Sequence, residues 1–368
     1  MLEATAACDR QRHFTLSLPK IELHAHLNGS IRRSTLDALA AAHDIDAAST
    51  GIMSRWPSTL SEAFDVFRLI HECVSTLSDV ERIAFELGQD LERDGVVYGE
   101  IRTTPRDLDA KGWDGYVKAV LHGFERYTKQ GGSVILKLLL SIDRAKHSAD
   151  DAMAVVQLAH RYRQHAVVGI DLSGDPTKAE FSTFLPSLSY ARTLGLKITL
   201  HAAEVRNDDE FSQMLHFAPH RFGHCCFVSR SNLAALKQSK IPIELCLTSN
   251  LLSNSIPSGS LADHHFGIHY QPQDAQDAQE HVDNTTICCI STDDSGVFGS
   301  PLSNEYRLVM DNFKLTESQV FDLARRTLKA TFLDQPPFKS AVQTERNTSD
   351  WQRVQSRFDQ FQRTWRWQ

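Results

Sequence analysis

At 368 residues, 41% hydrophobic and 23% charged, the chain has the composition of a soluble globular protein, long enough for one barrel or two average domains. A net charge of -7 excludes an electrostatic nucleic-acid binder, because no basic field draws in a polyphosphate backbone. No apolar run reaches transmembrane length and no basic-then-apolar signal segment opens the chain, so no membrane partner and a cytoplasmic location are expected.

Residues 1–13 read as a polar, alanine-rich and mobile lead-in. The segment IELHAHLNG at 21–29 then alternates apolar Ile21, Leu23, Ala25 and Leu27 with Glu22, His24, His26 and Asn28. That period of two predicts a strand, with His24, His26 and Asn28 on one face. Two imidazoles close together on a rigid element suit a divalent metal, although a bare His-x-His is more often a polar face and nothing else. Residues 34–42 read as helical. Leu60, Phe64, Phe67, Ile70 and Val74 follow at helical spacing, with His71 one step off the stripe. Ser78 and Glu81 suggest a capping box for the next helix. A second strand spans 96–101 and breaks at Thr103, Thr104 and Pro105.

The alternation then repeats. Strand-like runs fall at 134–142, 167–172, 197–200, 221–225, 243–247 and 286–290, mostly separated by helical stretches such as 149–162 and 181–194. Eight strands alternating with helices predict a parallel sheet closed into a single-domain (β/α)8 TIM barrel over 14–335, in the α/β class. The sixth strand is short. Residues 255–284, with a QPQDAQDAQ run, read as a mobile insertion between strands seven and eight. Past Pro336-Pro337, Trp351, Val354, Phe358, Phe361 and Trp365 form one apolar stripe, so 336–368 reads as a helical extension docked on the barrel. Thr316 and Gln319 cap a helix ahead of it. Of seven cysteines, Cys225, Cys226, Cys246, Cys288 and Cys289 lie in apolar strand-like runs, the usage of buried free thiols.

A TIM barrel carries its chemistry at the C-terminal ends of its strands. Titratable residues collect there: His24 and His26 on strand one, His201 and Glu204 after strand five, His224 after strand six, Asp293 and Asp294 after strand eight. That concentration is hard to explain as core polarity and points to a metal-assisted or acid–base site.

The IELHAHLNG, HAAE, GHC and STDD segments, in this order, resemble the adenosine/AMP deaminase family of metal-dependent hydrolases over about residues 18–332. Asn28 in HLNGS, RTTPR at 102–106, DLSGD at 171–175, ELCLTSN at 244–250 and HHFG at 264–267 are similar to the branch acting on N6-methyl-AMP. Two positions depart from the family pattern, with Ala203 and Cys225 standing where glycine is usual. The resemblance implies that His24, His26, His201 and Asp293 hold one Zn²⁺ per chain, which acidifies water. It implies that Glu204 protonates purine N1 and that His224 orients and deprotonates the attacking water. Asp294 would face the purine edge and Gly174 would let backbone approach the base.

The resemblance also bears on the substrate. Nucleoside deaminases of the family typically carry aspartate at position 28, and a carboxylate there would repel a 5′-phosphate. The neutral Asn28 amide can donate instead, and the turn of Thr103, Thr104, Pro105 and Arg106 offers hydroxyls, amides and a guanidinium. His71 and Asp143 stand at positions that line the pocket in the same branch, and His26 faces it. The expected activity is hydrolysis of N6-methyl-AMP to IMP and methylamine by a monomer whose partner is a small purine nucleotide. Deamination of adenosine to inosine is the nearest alternative. A catalytically silent purine-binding barrel would need a missing ligand or acid, and all seven positions are filled.

Overall fold

The computed structural model describes residues 2–46, 57, 60–270, 286–333 and 345–367. Eight parallel strands pair in sequence order: β1 (Lys20–His26), β2 (Val96–Thr103), β3 (Ile135–Asp143), β4 (Val167–Ser173), β5 (Lys197–Ala202), β6 (Arg221–His224), β7 (Ile243–Leu245) and β8 (Cys288–Ile290). Helices cross between them, giving the (β/α)8 barrel that the alternation predicts. The two ends of the sheet meet just past β8. There the amide of His26 donates to the Asp293 carbonyl at 2.8 Å and the amide of Asp293 donates to the His24 carbonyl at 2.7 Å. The hydrogen bonds that close the barrel therefore place His24, His26 and Asp293 side by side.

β2 and β3 are buried along their whole length, as strands covered on both faces must be. The inward positions of the eight strands are not all apolar. Glu22, Glu100, Arg102, Asp171, Arg221 and Glu244 are fully buried in the barrel interior. Unpaired, such charges would each carry a penalty of several kcal/mol (order of magnitude). Arg102 and Arg221 pair with Glu100, Asp171 and Glu244, while Glu22 accepts from the His24 and Thr292 amides and the Thr292 hydroxyl.

Several expectations shift in detail. β7 and β8, at three residues each, are shorter than the four-residue β6. The capping box of helix Leu77–Arg93 is formed by Thr76 and Asp79, two residues before the expected pair. The box of Thr316 and Gln319 stands where expected. Asn28 lies in a turn beyond β1, so the strand ends before it. Much of the expected insertion, together with Phe64's side chain and Pro336-Pro337, lies outside the described residues.

The lead-in is not a loose arm. Residues 2–17 form a helix whose Arg10 makes two bonds to the Glu317 carboxylate, at 2.7 and 2.8 Å. His13 stacks on Trp365 with ring centroids 5.3 Å apart, so the first helix meets the last, Glu345–Thr364. The last helix buries Val354 and Phe358 on the expected stripe. A buried ion pair between Asp350 and Lys137 of β3, 2.8 Å long, fixes it to the barrel. Among the described residues no helix is long and apolar enough to cross a membrane, and the described cysteines are free thiols.

Candidate active site

The strand ends bring His24, His26, His201, His224 and Asp293 into one cluster. Ligating atoms of His24, His201, His224 and Asp293 all lie within 4.8 Å of one another. His26 belongs with them: its Nε2 is 3.2 Å from His201 Nε2 and 3.3 Å from Asp293 Oδ1. Strand alternation puts His24 and His26 on the inner face, and the barrel closure brings Asp293 against them.

A layer of buried charge behind the cluster fixes which ring nitrogen each histidine presents. His24 Nδ1 lies 2.7 Å from Glu244 and His201 Nδ1 lies 3.0 Å from Asp171. A carboxylate only accepts, so both Nδ1 atoms carry the proton and both Nε2 atoms offer a lone pair to the cluster. Arg102 joins the two carboxylates, with bonds of 3.0 Å to Asp171 and 2.7 Å to Glu244. Arg221 then links Glu244 to Glu100. Burial disfavours the charge on Asp171 and Glu244, yet the Arg102 guanidinium holds both carboxyls well below the usual range.

Lone pairs that converge in this way suit a cation. His24 Nε2 is buried and has no hydrogen-bond partner, and the Asp293 carboxylate lies 3.4 Å away. Asp293 is itself held by Ser249 Oγ at 2.6 Å. Despite burial, the imidazoles of His24 and then His26 that face it hold Asp293 well below the usual carboxylate range. Neutral imidazole nitrogens and one carboxylate, buried and otherwise facing each other, fit a divalent metal of the borderline-soft class.

Three further groups border the cluster. Glu204 retains 32% side-chain exposure on the cleft wall, 3.7 Å from His224 Nε2. Its carboxyl is pushed up to about 8, first by desolvation among the cleft walls and then by the Asp293 charge. Asp294 is raised well above the usual range for the same two reasons. Adjacent in sequence, Asp293 and Asp294 diverge: Asp293 faces the imidazoles while Asp294 packs on Gly29. A Cβ on Gly29 would overlap the Asp294 carboxylate, so only glycine leaves room for that acid.

Four non-glycine residues of the strand ends have positive φ: Ala203 (50°), His224 (61°), Cys225 (58°) and Asp293 (64°). Two of them, Ala203 and Cys225, are the positions where the family pattern has glycine. Glycine is unstrained there and a Cβ is not, so the swaps alter backbone energy as well as pocket shape.

The cleft has two lobes that share His26, Phe67, Ser173, Gly174 and Asp294. One lobe holds Glu204, His224 and Asp293. The other is walled by Asn28, His71, Thr103, Thr104, Asp143 and Lys146. Gly174 has φ +85°, and a Cβ there would strike Asp143, which accounts for the glycine in DLSGD. Asn28 Nδ2 donates to the Tyr116 hydroxyl at 3.1 Å, leaving its buried Oδ1 without a partner. The Asn28 donor is thus already engaged inside the wall, where sequence reasoning expected one free to meet the substrate.

Pro105 and Arg106 are not on this wall. Arg106 donates to the carbonyls of Val74 (2.9 Å) and His71 (3.0 Å), tying down the chain end of helix Leu60–Cys73. The cation on the wall is Lys146, 3.0 Å from Asp143, which sequence reasoning missed because a lysine in a loop carries no pattern. His71 is pushed down to about 4 by burial, then by Lys146 and Arg106, so it stays neutral in a positive corner.

Comparison with known proteins agrees with this geometry. The adenosine deaminase family model matches residues 19–345. The chain is 40% identical to the N6-mAMP deaminase of Arabidopsis thaliana, over 86% of this chain and 93% of that one. It is 36% identical to the N6-Methyl-AMP deaminase of Mus musculus, over 90% and 92%. Among solved structures, Arabidopsis ADAL complexed with IMP superposes with a TM-score of 0.80 at 37% identity, covering 94% of this chain and 98% of that one.

Proposed function

This chain belongs to the adenosine deaminase family, and from that premise we propose that it hydrolyses N6-methyl-AMP to IMP and methylamine. The observation that carries the reading is the meeting, in one cleft, of converging imidazole lone pairs and Asp293 with the carboxyl groups of Glu204 and Asp294, both of which burial pushes up.

His24, His26, His201 and Asp293 would hold a zinc ion. When bound, that ion supplies the acidification of water that hydrolysis at neutral pH requires. Glu204 donates a proton to purine N1, which draws electron density from C6 and opens it to attack. Burial suits Glu204 to this task, because a carboxyl kept partly protonated near neutral pH is a competent acid. Water oxygen bonds to C6, one water proton restores the Glu204 carboxyl, and the other passes to N6 as the C6=O bond forms and the C6–N6 bond breaks, so methylamine leaves neutral. Asp294, fixed by Gly29, anchors the purine edge through its carboxyl group.

The second lobe takes the ribose phosphate. Asn28 packs beside the ribose, while Thr103, Thr104 and Lys146 meet the phosphate. Arg106 acts from behind, holding the turn and the end of the helix that carries His71.

A panel of N6-methyl-AMP, AMP and adenosine tests the reading in the metal-loaded protein. Fastest turnover is expected on N6-methyl-AMP, with IMP as the product. Equal or faster turnover of adenosine would replace the nucleotide reading with a nucleoside one.

A further inference from the structure

Two buried residues that touch no metal donor, His264 and Asn250, form a hydrogen-bonded line to His224. The line begins at a group whose polarity is not in doubt, the backbone N–H of Phe266, which can only donate. It points at His264 Nδ1, 3.0 Å away. His264 Nδ1 is therefore the bare nitrogen, and the neutral ring carries its proton on Nε2. His264 Nε2 lies 3.0 Å from one arm of the Asn250 amide, which must then be the oxygen. The other arm, the amide nitrogen, donates to His224 Nδ1 at 3.1 Å. Amide orientation and ring tautomer are commonly ambiguous, but a fixed donor at one end removes the choice along the whole line.

We propose that His264 and Asn250 are positioning residues that set the tautomer of His224, so that its neutral ring presents Nε2–H to the reacting oxygen. The inference rests on the deaminase reading for what that oxygen is. It changes what His224 does there. A ring with Nδ1 occupied as an acceptor and Nε2 already protonated cannot take a proton from water at Nε2. It donates a hydrogen bond to the attacking oxygen and steadies the negative charge that builds on it. Glu204, a carboxylate once its own proton has gone to purine N1, lies 3.7 Å from that Nε2 and takes the proton leaving the water.

Three observations agree. His224 Nε2 faces carboxyl oxygens of Glu204 at 3.7 Å and Asp293 at 3.9 Å, and the ionised Asp293 suits a donor there. A proton on Nε2 removes the lone pair by which His224 could ligate a metal, although its ring lies within reach of the cluster. His265 donates to the His224 carbonyl at 2.7 Å and stacks on His264 with ring centroids 4.1 Å apart, so the backbone and the line are held by the same pair of rings. His264, Asn250 and His224 are each at most 3% exposed, so water does not compete for these bonds.

The test is nitrogen NMR of the metal-loaded protein labelled with ¹⁵N-histidine, with the His224 signals identified by their loss in His224→Gln. The expected result is a protonated Nε2 and a bare Nδ1. A protonated Nδ1, or a metal-bound Nε2, overturns the proposal. His264→Phe deletes the donor to Asn250, leaves that amide free to turn over, and is expected to scramble the His224 tautomer. With it kcat on N6-methyl-AMP should fall roughly 10- to 100-fold, the range for one broken buried hydrogen bond, with little change in KM. His264→Gln puts an amide nitrogen near the place of Nε2 and should restore both the tautomer and most of kcat. An unchanged tautomer in His264→Phe also overturns the proposal. Should the wild-type protein fail to turn over N6-methyl-AMP, the substrate reading falls, while the NMR result still decides the tautomer.

Discussion

A Cβ at the wrong backbone angle carries a measurable penalty, and this site contains several. A non-glycine residue in the left-handed region is destabilised by roughly 1–2 kcal/mol. Ala203 lies there at φ 50°, so Ala203→Gly is expected to raise the urea midpoint by an amount worth about 0.5–1 kcal/mol with the slope unchanged. A fall in the midpoint would mean that the methyl packs more than it strains. Cys225 is a poorer test, because its buried thiol also fills space. Gly29→Ala works in the opposite sense. Its methyl would displace the Asp294 carboxylate and lower kcat roughly 10²-fold, as misplacing a reacting group by an ångström does, while circular dichroism stays native. At this scale the sequence shows much: each titratable residue named from the strand ends lies in the cleft or its cluster. It does not show tautomers, because these depend on Glu244, Asp171, Asn250 and His264, which reach their partners across the barrel from 14 to 220 positions away. The motifs containing them were visible in DLSGD, ELCLTSN and HHFG, but the residues that support the histidines were not distinguishable within them.

Elements fix what single residues cannot. The turn after β2 was read as a phosphate clamp because it joins two threonines to an arginine. The fold keeps Thr103 and Thr104 on the cleft and turns Arg106 onto the carbonyls that end helix Leu60–Cys73. A helix C-terminus has free acceptors, and a guanidinium beside it is drawn to them before any ligand arrives. Lys146, brought to the cleft by the loop after β3, supplies the charge. Lys146→Ala is accordingly expected to lower kcat/KM on N6-methyl-AMP roughly tenfold or more, leaving the nucleoside nearly untouched. Because its side chain is 61% exposed, the difference should shrink as salt is added. Arg106→Ala should lower both substrates together, since it loosens the wall and not a phosphate contact. If Arg106→Ala selectively harms the nucleotide and Lys146→Ala does not, the two roles are reversed.

The whole molecule is a barrel whose interior is charged and whose first and last helices meet. Alternation was enough to predict eight strands and their closure. The docking of residues 2–17 was not predictable, since that helix has little apolar periodicity and is held by Arg10 and His13 against Glu317 and Trp365. Buried neutral histidines give the fold a pH dependence. His220 and His269 are pushed down to about 3, first by burial, then by neighbouring cations or, for His269, by His265. Below pH 6.5 the unfolded chain binds protons that these rings refuse in the fold, so stability is greatest above that pH and falls toward pH 3. Each group contributes about 1.4 kcal/mol per pH unit inside that window. His220→Asn keeps an acceptor for the Ile198 amide and does not titrate, so it should flatten the decline in urea midpoint between pH 7 and pH 5. An unchanged slope would show that His220 does not hold its proton deficit. The central claim is that this cleft adds water to C6 of a purine nucleotide and expels the amine. It is tested most directly by turnover of N6-methyl-AMP in ¹⁸O-labelled water with the metal-loaded protein. IMP carrying one ¹⁸O at C6, with one methylamine per IMP, is the expected product. Unlabelled IMP, or nucleotide left intact with its N-methyl group in place, would contradict it.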